Sequence, residues 1–242
     1  MTSTSASKLV PQVLAVGSPP PNFTKNITLN PLFKDIHRHD LRKSFQKGPL
    51  VDIHLAKADG DNSKESDGAI IMQFPIAMLK RYAPNFAVTS SQSRLTLPAG
   101  SFDRNAIEDI LYWFAQIANS PAAPIPSWTI PGGTFLKLFQ YYRAFETLSM
   151  RQFSRPFEDV LNRYLQHYAL TVQELGELLG GLRYSNRLNQ NVIASAALVL
   201  KDTRTPKAKK LELIEFFETK HPSLLDGAIR EVRRVEKEKE ST

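Results

Sequence analysis

The period of the hydrophobic pattern changes partway along this 242-residue chain, and that change limits the fold more than any other feature. Val51, Ile53 and Leu55 alternate with Asp52 and His54, the period of two expected of a half-buried strand. Ala69 to Phe74 is a more continuously apolar second strand, and Leu95 and Leu97 flank Thr96 in a short third, ended by Pro98 and Gly100. Beyond them the pattern is helical only. Phe102, Ala106, Ile107, Ile110, Trp113, Phe114 and Ile117 follow amphipathic-helix spacing, with Ser101 or Asp103 as caps. The expectation is an α+β chain: a small three-stranded sheet packed with helices, followed by an all-α extension.

Punctuation along the chain sets the boundaries. Residues 1–28, rich in Ser, Thr, Pro and Asn, read as disordered. A short amphipathic segment carrying Leu32, Phe33, Ile36 and Leu41 follows and stops at Gly48-Pro49. Asp59 to Asp67 reads as a solvated hairpin loop, and Pro75 as the first residue of a helix carrying Ile76, Leu79, Tyr82 and Ala83. Residues 120–133 hold four prolines and two glycines and form a loop. Phe135, Leu138, Phe139 and Tyr142 start another helix, and Phe157, Val160, Leu161, Tyr164 and Leu165 mark the next. Thr171 with Glu174 makes a capping box before Leu175, Leu178 and Leu179, in a helix that Gly180-Gly181 weakens. Val192 to Leu200 is one more helix. Thr205 and Pro206 read as N-cap and first position for a helix with Leu211, Ile214 and Phe217, and Leu225, Ile229, Val232 and Val235 mark the last.

Composition excludes several classes of function. The chain has no cysteine, which removes disulfides, Cys-ligated zinc and thiol chemistry. No apolar run reaches the roughly 18 residues of a membrane span, so a soluble nuclear or cytoplasmic protein is expected. The first 34 residues lack acids, as in a mitochondrial leader, but the first arginine is Arg38, which argues against one. The net charge of +7 sits at the ends: residues 1–50 carry seven Lys/Arg and two Asp, while 51–200 carry 13 of each sign. A neutral middle argues against a nucleic-acid groove there.

Several motifs stand in the order found in BTB/POZ domains. Val51-Asp-Ile-His-Leu55 is similar to the first strand of that family. Met72 to Phe86 resembles its strand-to-helix segment in divergent fungal members, with Pro75, Met78, Leu79, Pro84 and Phe86 in register. Leu95-Thr-Leu-Pro98, then Phe102 and Tyr112-Trp113-Phe114, looks like the family's leucine-proline and helix block, and Phe135 to Leu148 resembles a further helix. The resemblance implies a BTB/POZ-like domain over 29–168 and a helical extension over 169–242. It implies a protein-interaction adaptor rather than an enzyme: a homodimer, or a module recruiting a cullin-type ubiquitin ligase or transcriptional partners. One departure is that Pro75-Ile76 replaces the basic pair that would meet Asp52.

No residue pattern calls for a cofactor, a metal or a catalytic group. His37 and His39 diverge by about 200° on a helix. His54, His167 and His221 lack a donor set around them, and Glu108-Asp109 and Glu158-Asp159 are helix neighbours that point apart. The candidate self-association surface is Leu32, Phe33, Ile36 and Leu41. Tyr141 and Phe145 lie off the stripe of Phe135, Phe139 and Tyr142 and are the candidate exposed interface aromatics. The alternative reading is a nucleic-acid-associated regulator using its basic ends, with Lys34, Arg38, Arg42, Lys43 and Lys47 as an arm.

Overall fold

The computed structural model describes residues 27, 29, 45–56, 70–84, 93–97, 103–119, 128, 134–181 and 186–240. Leu32, Phe33, Ile36 and Leu41 lie outside the described residues. The chain is α+β and divides into two compact units, Pro21–Leu161 with Glu177–Ser185 and Asn162–Gly176 with Asn186–Thr242. The sequence reading put a boundary after Tyr168; the two units instead interleave along the chain, changing after Leu161, Gly176 and Ser185, the first two of these inside continuous helices. Ile27, within the stretch read as disordered, is buried, as is Leu29.

In the first unit, β1 (Leu50–Leu55) is the centre of a three-stranded sheet of order β2-β1-β3. It pairs antiparallel with β2 (Ile70–Pro75) and parallel with β3 (Arg94–Leu97). Val51 stands opposite Phe74 and Ile53 opposite Met72; Val51, Ile53 and Phe74 are fully buried, as the period of two requires. Asp52, on the other face, accepts a hydrogen bond from the Gln73 amide at 3.0 Å and has Arg94 as its Cα partner on β3. Pro75 is not the first helical residue: it ends β2 and is the N-cap of α1 (Ile76–Tyr82). It offers no side-chain cap, and the Ile76 N–H instead donates to the Pro49 carbonyl at 3.0 Å.

Three further helices complete this unit's core. α2 (Arg104–Asn119) is capped by Asp103, whose carboxylate accepts the Ala106 N–H at 3.0 Å. Thr134 does the same for α3 (Phe135–Thr147), accepting the Lys137 N–H. α4 (Arg151–His167) begins well before Phe157 and holds Pro156 in its second turn. The proline has no N–H to give the Gln152 carbonyl, and Gln152 is an exposed residue at the start of the helix. The ring of Phe153 lies 5.2 Å from Phe114, 5.8 Å from Tyr82 and 5.8 Å from Phe145, tying α1, α2 and α3 to α4.

The second unit is helical. Thr171 and Glu174 form the expected capping box at the start of α5 (Val172–Gly181): the Glu174 N–H donates to Thr171 Oγ1 at 3.2 Å, and the Thr171 N–H to Glu174 Oε2 at 2.8 Å. α6 (Asn186–Lys201) packs along α8 (Pro222–Glu240). Their approach is close at Gly227, where a Cβ would stand 3.2 Å from Ile193. α7 (Lys207–Lys220) has Pro206 at its N-cap, one residue later than Thr205. It buries Leu213, Phe216 and Phe217; of the expected Leu211, Ile214 and Phe217 only Phe217 is buried, and Leu211 is 54% exposed. With no dominant apolar face, its register was open to misreading by one residue.

The α3–α4 corner supplies a test of backbone energetics. Ser149 adopts φ 55, in the left-handed region. The Ser149 N–H donates to Glu146 O at 2.9 Å and the Met150 N–H to Phe145 O at 2.8 Å, the two bonds of a Schellman stop. A serine there bears a cost of order 1 kcal/mol that glycine avoids, offset in part by the greater freedom of glycine in the unfolded chain. Ser149→Gly is expected to stabilise by about 0.5 kcal/mol, read as a higher chemical denaturation midpoint at unchanged slope, and Ser149→Val to lower that midpoint.

Candidate functional site

The polar groups that converge in the first unit do so where α2 meets α3. A cleft of about 360 Å³ opens between them, lined from α2 by Asp103, Asn105 and Asp109 and from α3 by Thr134, Lys137 and Gln140. Each wall follows from local sequence. Asn105 and Asp109 are one turn apart on one face of α2, and Thr134 and Lys137 are the cap and first turn of α3. Tyr141 contributes to the lining, and its hydroxyl donates to Asp109 Oδ2 at 2.6 Å, the length of a charge-assisted bond.

That bond corrects an expectation. Tyr141 and Phe145 are not exposed aromatics: Tyr141 is 4% exposed and Phe145 fully buried. Their rings pack on a second side of α3. Tyr141 lies 6.1 Å from Phe157 and 5.3 Å from Trp128, and Phe145 lies 5.5 Å from Phe157. Since the Phe135, Leu138, Phe139 and Tyr142 stripe is buried as well, α3 is covered on two faces. Among the described residues of this unit the exposed aromatic is Tyr112, at 60%, one turn beyond Asp109 on α2. Sequence reasoning placed Tyr112 in a family motif and passed over it as a surface feature.

The remaining candidates scatter. Glu108 pairs with Arg104 at 2.7 Å while its neighbour Asp109 meets Tyr141, so the two carboxylates serve different partners. His54 is buried in β1. His221 packs on Phe216, and burial, with Lys220 beside it, lowers its pKa. His37 and His39 lie outside the described residues, as do Lys34, Arg38, Arg42 and Lys43; Lys47 is exposed. Among the described residues no group of three His, Cys, Asp or Glu could hold a metal ion, and no helix is long and apolar enough to cross a membrane. Comparison with known proteins finds no relative: no family model, no curated protein and no solved structure matches the chain.

The Tyr141–Asp109 bond has a pH signature. Burial, then the hydrogen bond and negative charge of Asp109, push the Tyr141 hydroxyl far above the ordinary tyrosine value of 10.0. Burial and the Glu174 carboxylate push Tyr164 up to about 12. A pKa raised on folding contributes stability that is complete below the unfolded value and is lost as pH rises through the folded one, so the window opens above pH about 10. In an absorbance titration of the seven tyrosines, Tyr141 is expected to ionise only as the chain unfolds. Tyr141→Phe should remove one tyrosinate from that late phase and flatten the fall in stability above pH about 10.

Proposed function

We propose that the chain is a protein-interaction module of BTB/POZ type, of the divergent fungal kind, that works as an adaptor and homodimer rather than as an enzyme. The observation that carries the reading is the agreement between motif and element along the first unit. The apolar-Asp-apolar stretch is the central strand β1, the Met72 to Tyr82 stretch runs from β2 into α1, and Leu95-Thr-Leu97 lies in β3. Tyr112-Trp113-Phe114 lies within α2, with Trp113 and Phe114 buried and Tyr112 presented to solvent. Asp52, lacking the basic pair of other members, binds Gln73 instead, so the reading does not extend to a corepressor groove built on that charge. Partners of the cullin-ligase or transcriptional kind, in nucleus or cytoplasm, follow from the resemblance.

Light scattering coupled to size exclusion tests the dimer. At tens of micromolar the particle is expected at twice the chain mass, and Leu32→Asp with Phe33→Asp to shift it toward monomer. A strictly monomeric wild type removes the homodimer.

A second reading, a nucleic-acid-associated regulator, is favoured by the turn between α6 and α7. Lys201, Arg204, Lys207, Lys209 and Lys210 fall within ten residues there with Asp202 as the single acid, and Asp202 is taken up by Arg204 at 3.0 Å. That contact, to the Arg204 backbone first and its side chain second, holds the Asp202 carboxyl below its usual range. Lys207 and Lys209 are exposed. On this reading fluorescence anisotropy with mixed oligonucleotides shows binding that weakens with salt and with Lys207→Glu/Lys209→Glu. Absence of salt-sensitive binding at low ionic strength excludes it.

A further inference from the structure

We infer that the exposed face of α7 is a self-association surface, on which a second copy of the chain lays its own α7 antiparallel about a two-fold axis. The inference stands apart from the BTB/POZ resemblance and concerns the other unit. α7 turns Leu213, Phe216 and Phe217 into its core. At about 100° per residue, Lys207, Leu211, Ile214 and Glu218 fall within about 60° of arc on the side away from that core. Leu211, 54% exposed, is the most open large aliphatic side chain among the described residues.

An exposed leucine by itself is ordinary, but the charges around this one specify an occupant. Lys207 and Lys210 precede the apolar pair on this face, and Glu215 and Glu218 follow it. Leu211 stands four residues after Lys207, and Ile214 four before Glu218, so the end charges have no opposite partner within the helix. Among the described residues neither Lys207 nor Glu218 has an ion-pair partner. The order also opposes the helix dipole. Bases fill the first turn, acids come in the second half, and the N-terminus has neither an acid nor a side-chain cap.

A second copy laid antiparallel corrects each of these. A two-fold axis passing between Glu212 and Leu213 sets Leu211 against Ile214, Lys210 against Glu215 and Lys207 against Glu218 of the other copy. Each N-terminus then receives its missing acid from the other copy, and the two helix dipoles run opposed. A parallel pairing would set lysine on lysine and glutamate on glutamate. Glu215 and Glu218 likewise repel a polyanion, so a second copy fits this face better than nucleic acid. Lys210 already holds the Leu200 carbonyl at 2.8 Å, which makes Lys207 with Glu218 the pair to test. A helix of 14 residues is about 21 Å long, and contact along it falls short of the roughly 1,200 Å² of a stable interface. The association is therefore weak, with a Kd on the order of 100 µM.

Sedimentation velocity of the full chain tests this, in the Leu32→Asp/Phe33→Asp background that removes the other proposed contact. From about 10 µM to about 1 mM that chain is expected to pass from monomer to dimer, and less so in high salt. The wild type, run alongside, should pass from dimer to larger assemblies, since two different two-fold contacts on one chain link dimers in series. Leu211→Asp, Lys207→Glu and Glu218→Lys should each weaken the α7 contact about tenfold or more. Lys207→Glu and Glu218→Lys chains mixed in equal amounts should associate as their parent does, because both cross-pairs then join opposite charges. The double variant Lys207→Glu/Glu218→Lys should recover association by itself. Damage to the fold produces neither result. A chain monomeric at about 1 mM, association indifferent to Leu211→Asp, or a mixture no more associated than its components each overturns the inference. So does loss of salt-sensitive oligonucleotide binding in Lys207→Glu with self-association unchanged, which gives that lysine to nucleic acid. The homodimer proposed above fails on the mass of the wild type at tens of micromolar, and this contact fails on the charge-swapped pair, so either can fall without the other.

Discussion

Phe153 touches rings from three other elements: Tyr82 of α1, Trp113 and Phe114 of α2, and Phe145 of α3. Aromatic pairs at these distances add about 0.5–1.5 kcal/mol each beyond the area they bury. Removing such a ring from a close-packed core typically costs about 3–5 kcal/mol, against a total stability of about 5–15 for a domain. The consequence is geometric as well as energetic. With the four helices tied to one ring, the spacing of α2 and α3 is set from inside the core. The Tyr141 hydroxyl then meets Asp109 without a loop to guide it.

Local chemistry decides where elements begin and end, and the chain uses different devices at different corners. Asp103, Thr134 and Thr171 supply side-chain caps, whereas α1 borrows the Pro49 carbonyl and α7 starts at Pro206 with no side-chain cap at all. A side-chain cap typically adds about 1 kcal/mol, which matters most where a helix has little tertiary support. α5, ten residues long, has the full capping box. α3, covered on two faces, has a single Thr134 bond of 3.4 Å and a non-glycine residue in the left-handed region at its end. Packing there is strong enough to hold imperfect local geometry.

How much of this was legible depends on whether the cause is local. The three strands could be read because alternation of Val51, Ile53 and Leu55 with polar residues is a direct image of one buried face. The Thr171–Glu174 box could be read because both partners sit within four residues. Tyr141 and Phe145 could not be placed. A period of 3.6 identifies one buried stripe, and α3 has two, the second created by α4 and Trp128. The start of α4 was hidden by Pro156, which ordinarily argues against a helix interior but here lies in the second turn. The division at Leu161 has no sequence mark because the helix passes through it unbroken.

Asp109 and Tyr141 are 32 residues apart and belong to no motif, so their meeting is a product of tertiary packing alone. The contrast with Arg104 and Glu108 on the same helix explains why the pair draws notice. That ion pair is closer in sequence and nearly as short, but both side chains are 40–50% exposed, and water competes for each of them. Exposed pairs of this kind contribute about 0–1 kcal/mol. The Tyr141 side of its bond is better shielded, because its ring packs on Trp128 and Phe157 and is 4% exposed. Stability alone would be served as well by a phenol bonded to a backbone carbonyl. What distinguishes this arrangement is that a buried phenol bonds an exposed carboxylate of the neighbouring helix and so ties α2 to α3 at the surface.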